Sequence, residues 1–139
     1  YSIVKDALNN NHIEFKTFFE THSKVYVFER ELMQVFVNII NNAKDVLLEN
    51  NIENALIEVK TYDDEKYVNT EVYDNGGGID DSIIEKIFDP YFTTKDEQTG
   101  TGLGLYMSKM IVEKHLNGII EANNSKTGAC IKVRLPKKG

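Results

Sequence analysis

Hydrophobic positions three and four residues apart predict one long helix, from Glu29 to about Glu49. Its apolar residues are Leu32, Val35, Phe36, Ile39, Ile40, Ala43, Val46 and Leu47. This spacing puts them along one side of a helix, and that side is expected to pack into a core. A second amphipathic helix is predicted from about Leu103 to Leu116, and a short one around Asp81–Phe88 with Asp80 or Asp81 as its N-cap.

Strands are predicted where apolar and β-branched residues alternate with polar ones. These stretches are Ile13–Glu20, Val25–Phe28, Ala55–Tyr62, Tyr67–Tyr73, Ile119–Ala122 and Ala129–Leu135. The polar turn Asp63–Lys66 joins the third and fourth of them into a hairpin. Antiparallel neighbours dominate, which favours an α+β fold, a two-layer sandwich whose mixed, mostly antiparallel sheet is covered on one face by helices. Without repeats or a linker, residues 1–139 are expected to form one domain.

Composition and charge exclude several classes of protein. Of the 139 residues, 41% are hydrophobic and 27% are charged, as in ordinary globular proteins. A net charge of −6 argues against a nucleic-acid partner, since such proteins normally carry a basic surplus. The single cysteine, Cys130, excludes an internal disulfide and fits a reducing compartment. No apolar run is long enough to span a membrane, so we expect a cytoplasmic domain without direct membrane contact, in a full-length protein that could still carry an anchor.

The side of the long helix opposite its apolar residues is polar in an unusual way. It carries Gln34, Asn38, Asn41, Asn42 and Asp45. Solvated helix faces favour Glu, Lys and Arg, whereas asparagine lowers helix propensity. Amide and carboxylate oxygens suit Mg²⁺, which is usually held together with phosphate oxygens. The residues alone leave two interpretations open, a solvated face and a metal-phosphate site.

Six of the nine glycines lie between Gly76 and Gly104, in two clusters. The first, Asp74–Ile79, directly follows a predicted strand. A carboxylate beside bare backbone can accept a hydrogen bond from a ligand whose ring lies against the glycines. The same residues are also typical of an ordinary turn, which their composition alone favours.

The second cluster, Thr99–Leu105, leads into the second amphipathic helix, where exposed amides and a helix N-terminus can bind an anion. Its spacing fits neither a Walker A loop nor a dinucleotide-binding fingerprint. The stretch before it, Phe92–Gln98, is polar and contains Lys95, a composition suited to a lid over phosphates.

In this order and at these distances, the motifs resemble the ATP-binding catalytic domain of sensor histidine kinases, whose superfamily includes DNA gyrase, mismatch-repair ATPases and heat-shock chaperones. The resemblance runs from about Glu29 to Pro136. The matching motifs are Gln34-x-x-x-Asn38-x-x-Asn41-Asn42-Ala43 (N box), Asp74-x-Gly76-x-Gly78 (first glycine box), Phe88-x-Pro90-Tyr91-Phe92 (F box), Gly100-x-Gly102-Leu103-Gly104-Leu105 (second glycine box) and Thr127-Gly128. It implies a Bergerat-type ATP-binding fold with ATP and Mg²⁺ as ligands.

The resemblance also implies roles for individual residues. Asp74 would accept the adenine amino group, supported by Thr127, while Asn42 and Asn38 would hold Mg²⁺. Lys95 and the amides of Gly102 to Gly104 would contact the phosphates. The complete set of nucleotide-site residues it implies is Asn38, Asn42, Asp45, Asp74, Gly76, Gly78, Ile79, Lys95, Gly100, Thr101, Gly102, Leu103, Gly104, Leu105 and Thr127.

One position separates phosphoryl transfer from hydrolysis. Hydrolysing members of the superfamily carry a general-base glutamate one turn before the metal-binding asparagine, and here Asn38 fills that place. An amide cannot take a proton at neutral pH, so transfer to a protein side chain is favoured. His12, His22 and His115 lack the acidic neighbour that usually follows the acceptor histidine of these kinases.

The sequence therefore predicts a fragment of a two-component sensor kinase that donates the γ-phosphoryl group of ATP to a histidine on a separate dimerisation domain, with a response regulator as the further partner. No residue of the fragment is identified as catalytic with certainty, because the acceptor and its base lie elsewhere. Two alternatives remain, a non-catalytic nucleotide-binding module and a serine-kinase anti-sigma factor. Asn38 argues against the second, because that group also tends to carry glutamate there.

Overall fold

The computed structural model describes residues 13–20, 29–90, 104–124 and 127–137. Two helices and five strands lie in these ranges. In chain order they are β1 (Glu14–Glu20), α1 (Glu29–Glu49), β2 (Leu56–Asp63), β3 (Tyr67–Asp74), α2 (Gly104–Met110), β4 (Ile119–Asn124) and β5 (Ala129–Pro136). The strand predicted at Val25–Phe28 lies outside the described residues. No helix among the described residues is both long and apolar enough to cross a membrane.

The strands form one five-stranded sheet in the order β1-β2-β3-β5-β4. β1 runs parallel to β2, and the other three neighbouring pairs are antiparallel. The prediction of a mixed, mostly antiparallel sheet is therefore confirmed. Asp74, the last residue of β3, pairs with Ala129, the first residue of β5.

Helices cover one face of this sheet. In β5, Ala129, Ile131, Val133 and Leu135 are buried while the alternate residues are partly exposed. In the same core, α1 buries the residues of its apolar side, including Val35, Ile39, Ala43 and Leu47. The apolar side of α1 and the apolar face of the strands, both predicted from the sequence pattern, therefore belong to a single core.

The short helix predicted around Asp81–Phe88 is wrong, because this segment forms consecutive turns. Its backbone bonds span three residues, from Ile83 N to Asp80 O (3.0 Å), Lys86 N to Ile83 O (2.8 Å) and Asp89 N to Lys86 O (3.0 Å). Asp80 caps no helix, although its Oδ1 accepts hydrogen bonds from the Ser82 amide and hydroxyl in the first of these turns. The segment is too short for the four-residue bonding pattern to propagate without strong packing.

The second predicted helix changes character halfway. After α2, residues Ile111–His115 form a π-helical turn, in which the Leu116 amide donates to Ile111 O at 3.0 Å. Asn117 then adopts a left-handed conformation (φ 56°) and ends the helix. The predicted first residue, Leu103, lies outside the described residues.

At the β2–β3 turn, Asp64 accepts four hydrogen bonds. Oδ1 accepts from the amides of Lys66 and Tyr67, and Oδ2 accepts from Asn69 Nδ2 at 3.0 Å and Arg134 Nη2 at 3.4 Å. The bond from the Asn69 side chain, followed by the two backbone bonds, holds the pKa of Asp64 well below its usual range. Asn69 is fully buried and also accepts from Arg134 Nε, so the network ties the turn to β5.

Because the folded-state pKa of Asp64 is depressed, its contribution to stability is present above the unfolded pKa of about 3.9 and is lost as the pH falls below it. We expect Asp64→Asn to lower the urea midpoint at pH 7, with a smaller difference from the unmodified protein near pH 2.5. Urea unfolding at both pH values checks this. Glu65→Gln, at an exposed residue of the same turn, is the control. A difference for Asp64→Asn that stays constant with pH would contradict the assignment.

Candidate functional site

A buried carboxylate stands at the end of β3. Asp74 is 8% exposed, and its Oδ1 accepts a hydrogen bond from the Gly76 amide at 2.9 Å. Burial raises the pKa of Asp74 above its ordinary value, and backbone hydrogen bonds from Gly76 and Ala129 act in the opposite direction. A carboxylate held this way is an acceptor of fixed orientation beside exposed main chain.

The backbone around Asp74 is bare because side chains do not fit there. A Cβ on Gly76 would lie 2.8 Å from Asp74 Oδ1 and 3.0 Å from Val46, and one on Gly128 would overlap the carbonyl oxygen of Asp74. Gly78 has a φ of +88°, which side chains rarely adopt. We call residues 74–79 together with Thr127 and Gly128 the glycine corner.

Asn75 was not identified from the sequence, yet it fixes the start of the glycine corner. Its Oδ1 accepts from the Leu56 amide at 2.8 Å, its Nδ2 donates to Asn54 O at 3.0 Å, and its own amide donates to Leu56 O at 3.3 Å. The side chain thereby continues the β2–β3 pairing beyond the last strand residue.

Two further asparagines hold the corner, and neither was predicted. Asn124, at the end of β4, accepts from the Ile79 amide at 2.7 Å and donates to the Ile79 carbonyl at 2.6 Å. Asn50, just beyond α1, donates to Gly76 O at 3.2 Å. With fourteen asparagines in the chain, no signal in the sequence distinguished these two.

Thr127 joins the corner mainly through its main chain. Its carbonyl accepts from the Gly77 amide at 3.2 Å. Its hydroxyl is hydrogen-bonded to the hydroxyl of Tyr73, the residue that precedes Asp74. The predicted site residues Asp74, Gly76, Gly78, Ile79 and Thr127 are therefore brought together by hydrogen bonds and short contacts.

α1 connects the glycine corner to α2. Near its end, α1 contacts the corner through Val46, beside Gly76. Eight residues earlier, Asn38 Nδ2 donates to the carbonyl of Gly104, the first residue of α2, at 3.3 Å. At 1.5 Å per residue, the two contacts are about 12 Å apart along the helix. Asn42 and Asp45 lie half-buried between them.

The rest of the predicted phosphate site is only partly described. Lys95, Gly100, Thr101, Gly102 and Leu103 lie outside the described residues. A Cβ added to Gly104 would meet no atom within 4 Å, so the space beside this residue is open. The neighbouring Leu105 packs against the core.

The donors that the polar side of α1 offers to a metal are amide oxygens and the carboxylate of Asp45. Within the described ranges, no three His, Cys, Asp or Glu side chains form a group that could hold a metal ion. Hard oxygen donors, few in number, fit Mg²⁺ accompanied by phosphate and water better than they fit a transition metal held by protein alone.

Comparison with known proteins agrees with this geometry. The family described as histidine kinase-, DNA gyrase B- and HSP90-like ATPases matches residues 28–139. The two-component sensor PprA of Pseudomonas aeruginosa is 41% identical over 109 residues, which are 76% of this chain and 12% of PprA. Sporulation kinase A of Bacillus subtilis is 32% identical over 139 residues, covering 99% of this chain and 22% of that kinase. The chain thus spans between 12% and 22% of these curated relatives.

Solved structures show the same fold. The catalytic domain of histidine kinase ThkA, in a nucleotide-free form, superposes with a TM-score of 0.84 at 29% identity, covering 100% of this chain and 90% of that chain. ThkA in complex with the response regulator TrrA gives 0.80 at 25% identity, covering 99% of this chain and 38% of that chain. Together, the glycine corner, the polar side of α1 and these matches show that the chain belongs to the family of histidine kinase-, DNA gyrase B- and HSP90-like ATPases, with sensor histidine kinases among its relatives.

Proposed function

We propose that the chain binds ATP with Mg²⁺ and donates the γ-phosphoryl group to a histidine on a separate helical dimerisation domain of the same protein. The observation that carries this proposal is the arrangement along α1. A buried acceptor with bare backbone lies beside the last turns of α1, and the helix after the second glycine box begins beside the middle of α1, at contacts about 12 Å apart along its axis. An adenine base and a triphosphate joined by ribose need two such ends.

At the adenine end, Asp74 accepts the exocyclic amino group. The lack of side chains at Gly76 and Gly78 lets the base approach the backbone, and a side chain at Gly76 would collide with Asp74 itself. Ile79 is partly buried against the core, and its apolar side chain adds contact with the base. Thr127 supports this end through the hydrogen bond from Gly77 to its carbonyl.

At the phosphate end, we assign the metal to Asn42, with Asp45 close by on the same helix. When bound, Mg²⁺ neutralises phosphate charge and orients the γ-phosphoryl group for transfer. Asn42 makes no side-chain hydrogen bond with any described residue, so its amide oxygen is available. Lys95 and the amides of Gly100, Thr101, Gly102, Leu103, Gly104 and Leu105 are assigned to the phosphates.

Transfer is favoured over hydrolysis because the position one turn before Asn42 holds the amide of Asn38. In the transfer, the bond between the γ-phosphorus and the bridging oxygen of ADP breaks. A bond to an imidazole nitrogen of the acceptor forms, and the base that takes the imidazole proton comes from the acceptor domain. Among the described residues the only histidine is His115, and its Nδ1 is paired with Glu31 at 3.0 Å.

The relatives' names support the wider assignment. PprA is a two-component sensor, and ThkA was crystallised with a response regulator. We therefore propose that the phosphoryl group passes from the acceptor histidine to a response regulator. We place the domain in the cytoplasm, where ATP and such regulators are found, with any membrane anchor elsewhere in the full-length protein. Residues 1–139 are proposed to be the catalytic fragment of that protein.

The purified chain should bind ATP, yet neither phosphorylate itself appreciably nor hydrolyse ATP quickly. Adding a cognate histidine-bearing helical domain should produce a base-stable, acid-labile phosphohistidine on that domain, because the chain lacks only the acceptor and its base. Incubation with radiolabelled ATP, followed by acid and base treatment of the product, checks this. The same domain with its histidine replaced by glutamine is the control.

Two other outcomes would favour the alternatives. An acid-stable phosphoserine on a partner protein would support a serine-kinase anti-sigma factor. Tight ATP binding without transfer to the cognate histidine domain would support a non-catalytic nucleotide-binding module.

A further inference from the structure

Asn38 is hydrogen-bonded at both ends of its amide. Its Oδ1 accepts from Gln34 Nε2 at 2.7 Å, and its Nδ2 donates to Gly104 O at 3.3 Å. The three residues form a chain of hydrogen bonds that runs along α1 and crosses to the first residue of α2.

The orientation of this amide follows from its partners. A main-chain carbonyl can only accept, so the Asn38 nitrogen must face Gly104 and the oxygen must face Gln34. Gln34 lies one turn back along α1, whereas Asn42 lies one turn ahead. The oxygen that would be offered to a metal beside Asn42 is therefore turned toward Gln34.

A second contact ties the far end of the same helical segment to α1. His115, the last residue of the π-helical turn, pairs with Glu31 through Nδ1 and Oε1 at 3.0 Å. α2 and the π-helical turn that follows it thus run antiparallel to α1 and are joined to it by polar contacts at Gly104 and at His115. Between these contacts, Ser108 is fully buried and its hydroxyl donates to the same Gly104 carbonyl at 3.0 Å.

We infer that Asn38 is a positioning residue, which fixes the start of α2 against α1 through the Gly104 carbonyl, and that the metal-ligand role belongs to Asn42. This inference rests on the proposed function, because what Asn38 positions is the segment assigned to the phosphates. Its consequence is that Asn38 sets nucleotide affinity whether or not Mg²⁺ is present.

An aspartate at this position separates the two roles. A carboxylate has no hydrogen to donate to the Gly104 carbonyl and would repel it, so Asn38→Asp removes the contact. As a metal ligand, the same carboxylate would be at least as good as the amide. Asn38→Ala removes both properties. Met33→Glu, at an exposed residue of the same helix outside its polar side, adds the same charge and is the control.

Calorimetric titration with ADP, in Mg²⁺ and in EDTA, measures the effect. We expect Asn38→Asp and Asn38→Ala to lower affinity by about 3- to 10-fold in both conditions, as for the loss of one hydrogen bond, and Met33→Glu to change it less. Loss confined to Mg²⁺ for Asn38→Ala, with Asn38→Asp unimpaired, would overturn the inference in favour of a metal ligand.

Hydrogen exchange of the nucleotide-free variants gives an independent test. The amides of α2 should exchange faster in both Asn38 variants, with those of β3 and β5 unchanged, because a metal ligand has no effect in the absence of metal and general destabilisation would spread to the sheet. Unchanged α2 exchange would overturn the inference. If the unmodified chain failed to bind nucleotide, the proposed function would fall while this exchange comparison still decided what Asn38 holds.

Discussion

Replacing Asp74 with asparagine should lower the affinity of the chain for ATP and ADP by about 5- to 150-fold, equivalent to roughly 1–3 kcal/mol. The carboxylate is buried and its Oδ1 is already oriented by the Gly76 amide. An asparagine would keep one acceptor, but it would put a donor where the second carboxylate oxygen stands and so oppose the adenine amino group. Calorimetry in the presence of Mg²⁺ measures the difference. Asp89→Asn, at an exposed residue outside the glycine corner, is the control.

The pH dependence of nucleotide affinity in the unmodified protein and in Asp74→Asn provides a second test. Because burial raises the pKa of Asp74, the unmodified protein should begin to lose its acceptor at a higher pH than an exposed aspartate would. The affinity ratio between the unmodified protein and Asp74→Asn should therefore narrow as the solution is acidified. Comparing both proteins at each pH cancels the nucleotide's own titration. Equal affinities at neutral pH would remove Asp74 from the adenine role.

Gly128→Ala should be the most destabilising single substitution in the glycine corner. The added Cβ would overlap the Asp74 carbonyl oxygen and lie 2.7 Å from the Asp74 carbonyl carbon and 2.9 Å from the Asn75 Cα. Main-chain atoms can yield only if β3 and β5 move apart, so the cost should be about 3 kcal/mol or more. For a chain of this length we expect a fall in Tm of roughly 10 °C.

The stability of Gly77→Ala is the comparison for that of Gly128→Ala. Gly77 has a φ of +96°, but a Cβ there would meet no atom within 4 Å. Only backbone strain opposes that substitution, at about 1 kcal/mol. Thermal unfolding of both variants checks the order. A smaller loss for Gly128→Ala than for Gly77→Ala would show that the β3–β5 contact is looser than described.

The elements predicted best from the sequence are those in which the hydrophobic pattern repeats many times. α1 begins at Glu29 and ends at Glu49 as predicted, because its apolar side repeats over many turns. The Asp81–Phe88 segment has the same composition as a helix start, and only its hydrogen bonds reveal turns. The π-helical turn at Ile111–His115 was equally invisible, since a five-residue bonding step leaves no distinct pattern in the side chains.

The candidate site divides in a similar way. Asp74 and the glycines were predicted through the resemblance of their motif to the first glycine box of the family, because their composition alone favours an ordinary turn. Asn75 and Asn124 could not, since their importance depends on main-chain groups of Leu56 and Ile79 that only the fold brings near. An asparagine that replaces a backbone partner looks the same in sequence as one on the surface.

The position of β5 has a consequence for how the protein is made. β5 follows β4 in sequence but lies between β3 and β4, so β4 has no sheet to join until β5 has left the ribosome. Gly128 and Thr127 reach the corner at the same late moment, through contacts more than fifty residues from Asp74 and Tyr73. Such distant pairing is slow relative to local helix formation. Nucleotide bound at the corner would therefore stabilise only chains that already contain β5, leaving shorter products without that protection against cellular proteases.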